Sequence, residues 1–253
     1  MSFRILDYGA LQRLQEPPWL VDQVIPIGEG GSLGVLFGRP GSGKSFVALD
    51  IAHCVGTNTD WHGRRVQQGS VVYLAAEGAL GFKSRAAAWA KSHGIRSIQH
   101  AHYVLDPINL MDLRSVEAFL RTLRDEMEDK PILVVIDTLA RSMAGGDENE
   151  TRDMSAVVTG LGRIQTLGCS VLVVHHQGHN DDAIRARGSS VLPAAADYML
   201  RTAKTGRTVR LECAKQKDAE EFTPLKFELK AYDRSAVLIP ESQILRFPIR
   251  HKS

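Results

Sequence analysis

Four short apolar runs divide the first two thirds of the chain: Leu33–Phe37, Val71–Leu74, Ile132–Ile136 and Val171–Val174. Continuous runs of this length fit strands covered on both faces, as in a parallel sheet. Between them the apolar spacing turns helical. It does so from Ser45 to Val55 and across the alanine-rich Phe82–Ser92, which Gly94 stops. Val116, Phe119, Leu120, Leu123 and Met127 mark a further amphipathic helix, closed by Pro131. Met154, Val157, Val158, Leu161 and Ile164 mark another, with Thr151 as its cap and Gly168 at its end. Residues 1 to about 30 read instead as an arm: Pro17-Pro18, two small apolar patches around Trp19–Val21 and Val24–Ile27, then Gly28, Gly30 and Gly31.

From Tyr198 onwards apolar and polar residues alternate, as in Thr208–Cys213, Leu225–Leu229 and Ala236–Ile239, the pattern of half-buried antiparallel strands. Two polar loops, Arg141–Glu150 and Gln177–Ser190, follow the third and fourth apolar runs. The sequence holds no internal repeat. The order βαβαβαβ followed by hairpins predicts one α/β domain over residues 31–253, a mostly parallel twisted sheet with helices on both faces and an antiparallel C-terminal extension.

Composition narrows this only a little. A chain of 253 residues is long enough to bury a sizeable core. Its formal charge of +2 means that any nucleic-acid surface must be local. Cys54, Cys169 and Cys213 stand apart in apolar contexts, the usage of a reduced, cytosolic protein rather than a disulfide frame. The apolar runs are far too short to span a membrane, and no secretion signal follows Met1.

The chemistry concentrates between the first strand and the first helix. Gly38-Arg39-Pro40-Gly41-Ser42-Gly43-Lys44-Ser45 matches G-x-x-x-x-G-K-[ST]. A triphosphate is a dense anion, best held by backbone N–H groups at a helix start where glycines let it approach. The expected nucleotide contacts are Gly38, Pro40, Gly41, Ser42, Gly43, Lys44, Ser45 and, just beyond, Phe46. Lys44 would reach the outer phosphates and Ser45 would coordinate magnesium. Asp137 closes the third strand, where an acid lies in the ligand crevice and can hold magnesium with Ser45. Glu77, after the second strand, reads equally as the group that orients the attacking water or as a solvated loop acid. His175-His176 and His179 lack zinc-enzyme spacing, and neighbouring strand residues face opposite sides, which argues against a metal site. A histidine sensing the γ-phosphate and a merely polar strand end both remain open.

These segments together resemble the RecA-fold ATPases, and among them the RepA-type hexameric replicative DNA helicases of plasmids and their phage-encoded relatives. The resemblance rests on Gly38–Ser45, Tyr73–Gly78 with its Ala-Glu-Gly, Val135–Thr138, Val174-His175-His176 and Arg187-Gly188-Ser189-Ser190, and covers about residues 19–232. It implies a RecA-like P-loop NTPase core, ATP and Mg²⁺ as cofactors, Glu77 as catalytic glutamate and His176 as γ-phosphate sensor. It further implies ATP held between subunits of a ring, completed by a basic group from the neighbour. Lys215-Gln216-Lys217 resembles the Lys-x-Arg element that supplies this group, with Lys217 where many members have arginine; a solvated strand edge is the plainer reading. Channel loops contacting single-stranded DNA would be Arg141–Glu150 and Gln177–Arg187, with Arg141, His179, Arg185 and Arg187 as the cations. The first loop is acidic and neither carries an aromatic residue for base stacking. The arm with Trp19 and Leu20 packs either on the next subunit or on its own domain.

The leading expectation is therefore a ring-forming, ATP-driven helicase on single-stranded DNA. A RecA-like recombination or repair ATPase that forms filaments is one alternative, and a nucleotide-gated assembly module another. A small-molecule kinase lacks an acceptor site and an arginine-rich lid. A transporter ATPase lacks its Leu-Ser-Gly-Gly signature.

Overall fold

The computed structural model describes residues 5–13, 18–28, 30–76, 79–176 and 188–241. A short helix α1 (Tyr8–Gln12) precedes a two-stranded ribbon, β1 (Trp19–Val21) and β2 (Ile25–Pro26). The parallel core follows as β3 (Leu33–Gly38), α2 (Lys44–Thr57), β4 (Val71–Ala75), α3 (Ala79–Ser92), β5 (Ala101–Val104), α4 (Leu113–Glu126), β6 (Leu133–Asp137), a 3-10 turn (Leu139–Ser142), α5 (Thr151–Gln165) and β7 (Ser170–His176). The chain then adds α6 (Val191–Ala195), β8 (Tyr198–Thr205), β9 (Thr208–Gln216), β10 (Leu225–Tyr232) and β11 (Ser235–Pro240). Nine strands form one sheet in the order β11-β10-β9-β8-β3-β7-β6-β4-β5. From β8 to β5 neighbours run parallel, and from β8 to β11 antiparallel.

The register brings the carboxyl ends level. Gly38 pairs with His176 and Thr202, and Asp137 with Val174 and Ala75. β3, β4 and β6 are buried at every position, which is why their sequences read as unbroken apolar runs. Along β3 successive side chains serve opposite layers: Leu36 joins the core under α2 and α3, while Val35 and Phe37 join the core under α4 and α5.

Several elements depart from the expectation. β5 goes unrecognised because it is an edge strand with only partly covered residues, and α6 because it is barely more than one turn. β8 lies parallel to β3 on one side and antiparallel to β9 on the other, so it belongs to both halves of the sheet and is largely buried. Thr151 does not cap α5. Glu150 stands at the cap without a side-chain bond, and Asp153 in the first turn accepts the Asp147 N–H at 3.0 Å instead. Within the N-terminal segment, Leu20, Val21, Val24 and Ile25 are fully buried in the core that also holds α2, so this apolar part packs on its own domain. α1 buries none of its residues.

α2 is covered on nearly every side, including its one acid, Asp50. Burying a lone carboxylate is costly unless donors surround it. Asp50 Oδ1 accepts from Trp89 Nε1 at 2.6 Å, and Oδ2 accepts from Trp61 Nε1 at 2.9 Å and lies 2.7 Å from His62 Nε2. Burial pushes this carboxyl up, but the charge and hydrogen bond of His62 and the bond from Trp89 outweigh it and hold Asp50 below the ordinary range. A depressed acid stabilises the fold above its unfolded value near ~4 and ceases to do so as pH falls through the folded value. Asp50→Ala should cost about 3–5 kcal/mol, since it strands two buried indole N–H groups and a histidine. Asp50→Asn, which keeps an acceptor oxygen, should cost less. Urea unfolding at neutral pH measures both, and the gap between wild type and Asp50→Asn should narrow at low pH.

Candidate nucleotide site

The loop from β3 to α2 is shaped by close backbone contacts. Gly43 stands at the start of α2 in the left-handed region, φ 93° and ψ 9°, and offers the helix no side-chain cap. The first N–H groups of α2 are therefore left to an anion. A Cβ on Gly38 would lie 2.4 Å from the Thr202 carbonyl oxygen and 2.7 Å from Ser42 Oγ, so no other residue fits there. Ser42 Oγ pairs with Thr202 Oγ1 at 2.7 Å, which ties the loop to β8. Lys44 is buried, and its Nζ donates to the Gly38 and Arg39 carbonyls at 2.9 Å each, arching the ammonium over the loop.

Beside the loop runs a cleft of about 410 Å³, lined by Pro40–Phe46, Arg85, Thr138, His176, Lys204 and Leu229. Asp137 ends β6 at the same edge, and its peptide to Thr138 is cis. It is buried, with Oδ2 accepting from Tyr73 OH at 2.7 Å. Burial, then the charge of Asp137 and this bond, push the Tyr73 phenol well above its usual value, so Tyr73 stays a donor. A hydroxyl at Ser45 and a carboxylate at Asp137 are hard oxygen ligands, the donor chemistry that suits magnesium sharing its shell with phosphates. The residues present fit that ion.

The structure thus brings together Gly38, Pro40, Gly41, Ser42, Gly43, Lys44, Ser45, Phe46, Asp137 and His176. Glu77 lies outside the described residues, just past Ala76, whose N–H donates to the Asp137 carbonyl at 3.1 Å. His179, Arg185 and Arg187 lie outside them as well. Arg141 sits exposed in the 3-10 turn after Thr138. Lys215 and Lys217 are not at this cleft. Lys215 pairs with Met199, near the amino end of the parallel strands, whereas Thr202 is the residue beside Gly38. Lys215 Nζ donates to the Pro193 and Ala196 carbonyls at 2.8 and 2.5 Å, closing the end of α6. Burial, and secondarily the charge of Lys217, lower the Lys215 ammonium against the pull of Asp197. Lys217 Nζ lies 2.9 Å from Asp197 Oδ1.

Sequence reasoning missed Arg85, Lys204 and Leu229. Arg85 projects from α3 with its guanidinium 5.2 Å from the Phe46 ring centroid, a cation–π contact at the rim of the cleft. Its only signal is a lone arginine in an alanine-rich helix. Lys204 and Leu229 reach the cleft solely through the pairing of β8, β9 and β10, which no local pattern reveals.

A profile of the AAA domain family matches residues 3–182, well over half of the chain. The chain belongs to the AAA domain family. Among solved structures, the ATPase domain of G40P superposes with a TM-score of 0.60 at 14% identity, over 84% of this chain and 86% of that one. A DnaB-like replicative helicase, described with its interactions with primase, matches with a TM-score of 0.63 at 15% identity. That match covers 83% of this chain and 58% of the other, so this AAA domain spans under two thirds of it. The likenesses fix the fold as that of RecA-like ATPase domains, and with the phosphate loop the chain is a RecA-fold P-loop ATPase. Among the described residues, no helix is long and apolar enough to cross a membrane.

Gly38→Ala should destabilise the domain by about 1–3 kcal/mol through overpacking and should weaken binding of an ATP analogue. Gly162→Ala, inside α5 with open space at its Cβ, should stabilise by about 0.5–1 kcal/mol and leave binding alone. Urea unfolding and fluorescent-nucleotide titration measure the pair.

Proposed function

We propose that this AAA domain protein is an ATP-driven DNA helicase of RepA type that forms a ring, in which neighbouring copies complete each cleft, and that translocates on single-stranded DNA.

 What supports this is that the phosphate loop and His176 line one cleft at the carboxyl edge of the sheet, beside the strand end that carries Asp137, while Lys215 and Lys217 lie near the opposite end of the strands. A subunit built this way turns its basic strand end away from its own nucleotide, which suits a ring in which each copy serves the next.

In this reading the N–H groups at the start of α2 and the Lys44 ammonium bind the β- and γ-phosphates. Ser45 and Asp137 hold magnesium, which neutralises charge on the phosphates when bound. Tyr73 orients Asp137 from behind. Glu77 takes a proton from, or aligns, the water that attacks the γ-phosphorus, and ADP leaves as the bond to the bridging oxygen breaks. His176 faces the γ-phosphate from the end of β7. Lys215 or Lys217 of a neighbouring copy supplies positive charge to the transition state, and Arg141, His179, Arg185 and Arg187 meet the DNA backbone. The acidic residues Asp147, Glu148 and Glu150 in the first loop favour a second reading, an assembly module whose ATPase ignores DNA.

ATPase assays with and without single-stranded DNA separate the two. Wild type should be stimulated by DNA and should separate a forked duplex. Lys44→Ala should lose nucleotide binding. Glu77→Gln should still bind ATP but turn over at least about 100-fold more slowly, the scale of a lost general base. Turnover indifferent to DNA, in a protein that stays monomeric with ATP, would rule out the helicase.

A further inference from the structure

A second cavity, of about 380 Å³, adjoins the nucleotide cleft. The two share Pro40, Ser42 and Lys204, so they meet along the phosphate loop, which the Ser42–Thr202 hydroxyl pair ties to β8. Arg39, Arg201 and Lys204 carry the charge of this second lining, and among the described residues no acid lines it. A concave surface lined by one sign of charge focuses the field and draws the opposite ion. The fold gathers these cations from separate stretches of chain. Arg39 follows β3, whereas Arg201 and Lys204 lie on β8, and the parallel register sets Arg201 beside Phe37 and Thr202 beside Gly38.

Arg201 is the most enclosed of the three, with 24% of its side chain exposed. Its Nη1 lies 3.6 Å from Glu212 Oε2, longer than a hydrogen bond. Its Nε is buried and makes no hydrogen bond among the described residues. Glu212 is engaged more closely by Arg210, at 2.9 Å. A buried donor without a partner costs stability, and an arriving oxyanion removes that cost. The planar guanidinium fork matches the oxygens of a phosphate, and Lys204 and Arg39 add charge around it. Even if the whole Glu212 charge is set against Arg201, the other two cations remain, which suits a dianion better than a carboxylate or a phosphodiester.

We infer that this cavity is a second oxyanion site, separate from the phosphate loop, which takes a dianionic phosphate. Hydrolysis of ATP produces that ligand in the neighbouring cleft, so the site gives departing orthophosphate a holding place. This use, unlike the binding itself, rests on the nucleotide reading above.

Equilibrium dialysis of the full chain with radiolabelled inorganic phosphate, at mildly alkaline pH, tests the site without turnover. A non-hydrolysable ATP analogue and Mg²⁺ fill the nucleotide cleft first, so that phosphate does not report on the phosphate loop. Wild type should bind phosphate saturably, and sulfate, also a tetrahedral dianion, should displace it where equimolar chloride does not. Arg201→Met should weaken phosphate binding by about tenfold or more, the scale of a lost hydrogen bond to a charged group. Because Glu212 keeps Arg210, the melting temperature and analogue affinity of this variant should stay close to wild type. Arg201→Lys should recover part of the binding, and Arg39→Gln, on the loop side of the cavity, should weaken it as well. Phosphate affinity unchanged in both Arg201→Met and Arg39→Gln, or no phosphate bound by wild type, overturns the site. Displacement by a single-stranded oligonucleotide without terminal phosphates overturns the dianion assignment in favour of a nucleic-acid backbone. Fluorescent-nucleotide titration reports separately on the cleft: a chain that binds phosphate through Arg201 but binds no nucleotide keeps this site and removes the ATPase reading.

Discussion

The position of α2 governs the nucleotide site. This helix begins at the phosphate loop, and a helix covered on nearly all sides has no amphipathic stripe to set its rotation. Asp50 sets it. Its carboxylate meets two indole N–H groups and an imidazole from two separate stretches of chain, Trp61-His62 and Trp89, and such a constellation is satisfied in one orientation only. Rotating α2 to relieve any one bond would bury an unpaired charge, at a cost of several kcal/mol. The first turn, with Lys44 and Ser45, is consequently aimed by a contact two turns further down the same helix.

The phosphate loop depends on a second constraint, the absence of side-chain bulk. Gly38 lies where the Thr202 carbonyl and the Ser42 hydroxyl leave no room for a methyl group, and Gly43 turns the backbone through a conformation that other residues resist. Together these pull the loop against β8 and leave its amides facing the cleft. Asp137 is handled differently: it is held by a phenol that burial keeps protonated, so its orientation does not depend on solvent. Rigid acids and open amides at one sheet edge are what a site for a charged phosphate and its metal requires.

Much of this was legible in the amino-acid pattern, because the interactions concerned are local. Strands buried on both faces announce themselves as apolar runs, and the Gly38–Ser45 motif carries its own strand–loop–helix context. What stayed hidden depends on residues far apart. Lys204 and Leu229 come to the cleft across two antiparallel pairings, and Arg85 from a helix whose composition says only that it is helical. β8 reads as part of an antiparallel set, although one of its two neighbours runs parallel to it, because period and burial do not encode partner direction. The Leu20–Ile25 stretch reads as part of an arm since its apolar patches are short, yet it completes the core beside α2.

The match to the AAA domain family stops at residue 182, before β8 begins. Part of the cleft is nevertheless made from what comes later: Thr202 braces the loop, and Lys204 and Leu229 line the cleft together with Phe46. The phosphate-loop motif and this other side of the cleft are thus written in separable stretches of sequence. Divergence in the terminal hairpins can reshape that side of the cleft without touching the motif that defines the lineage.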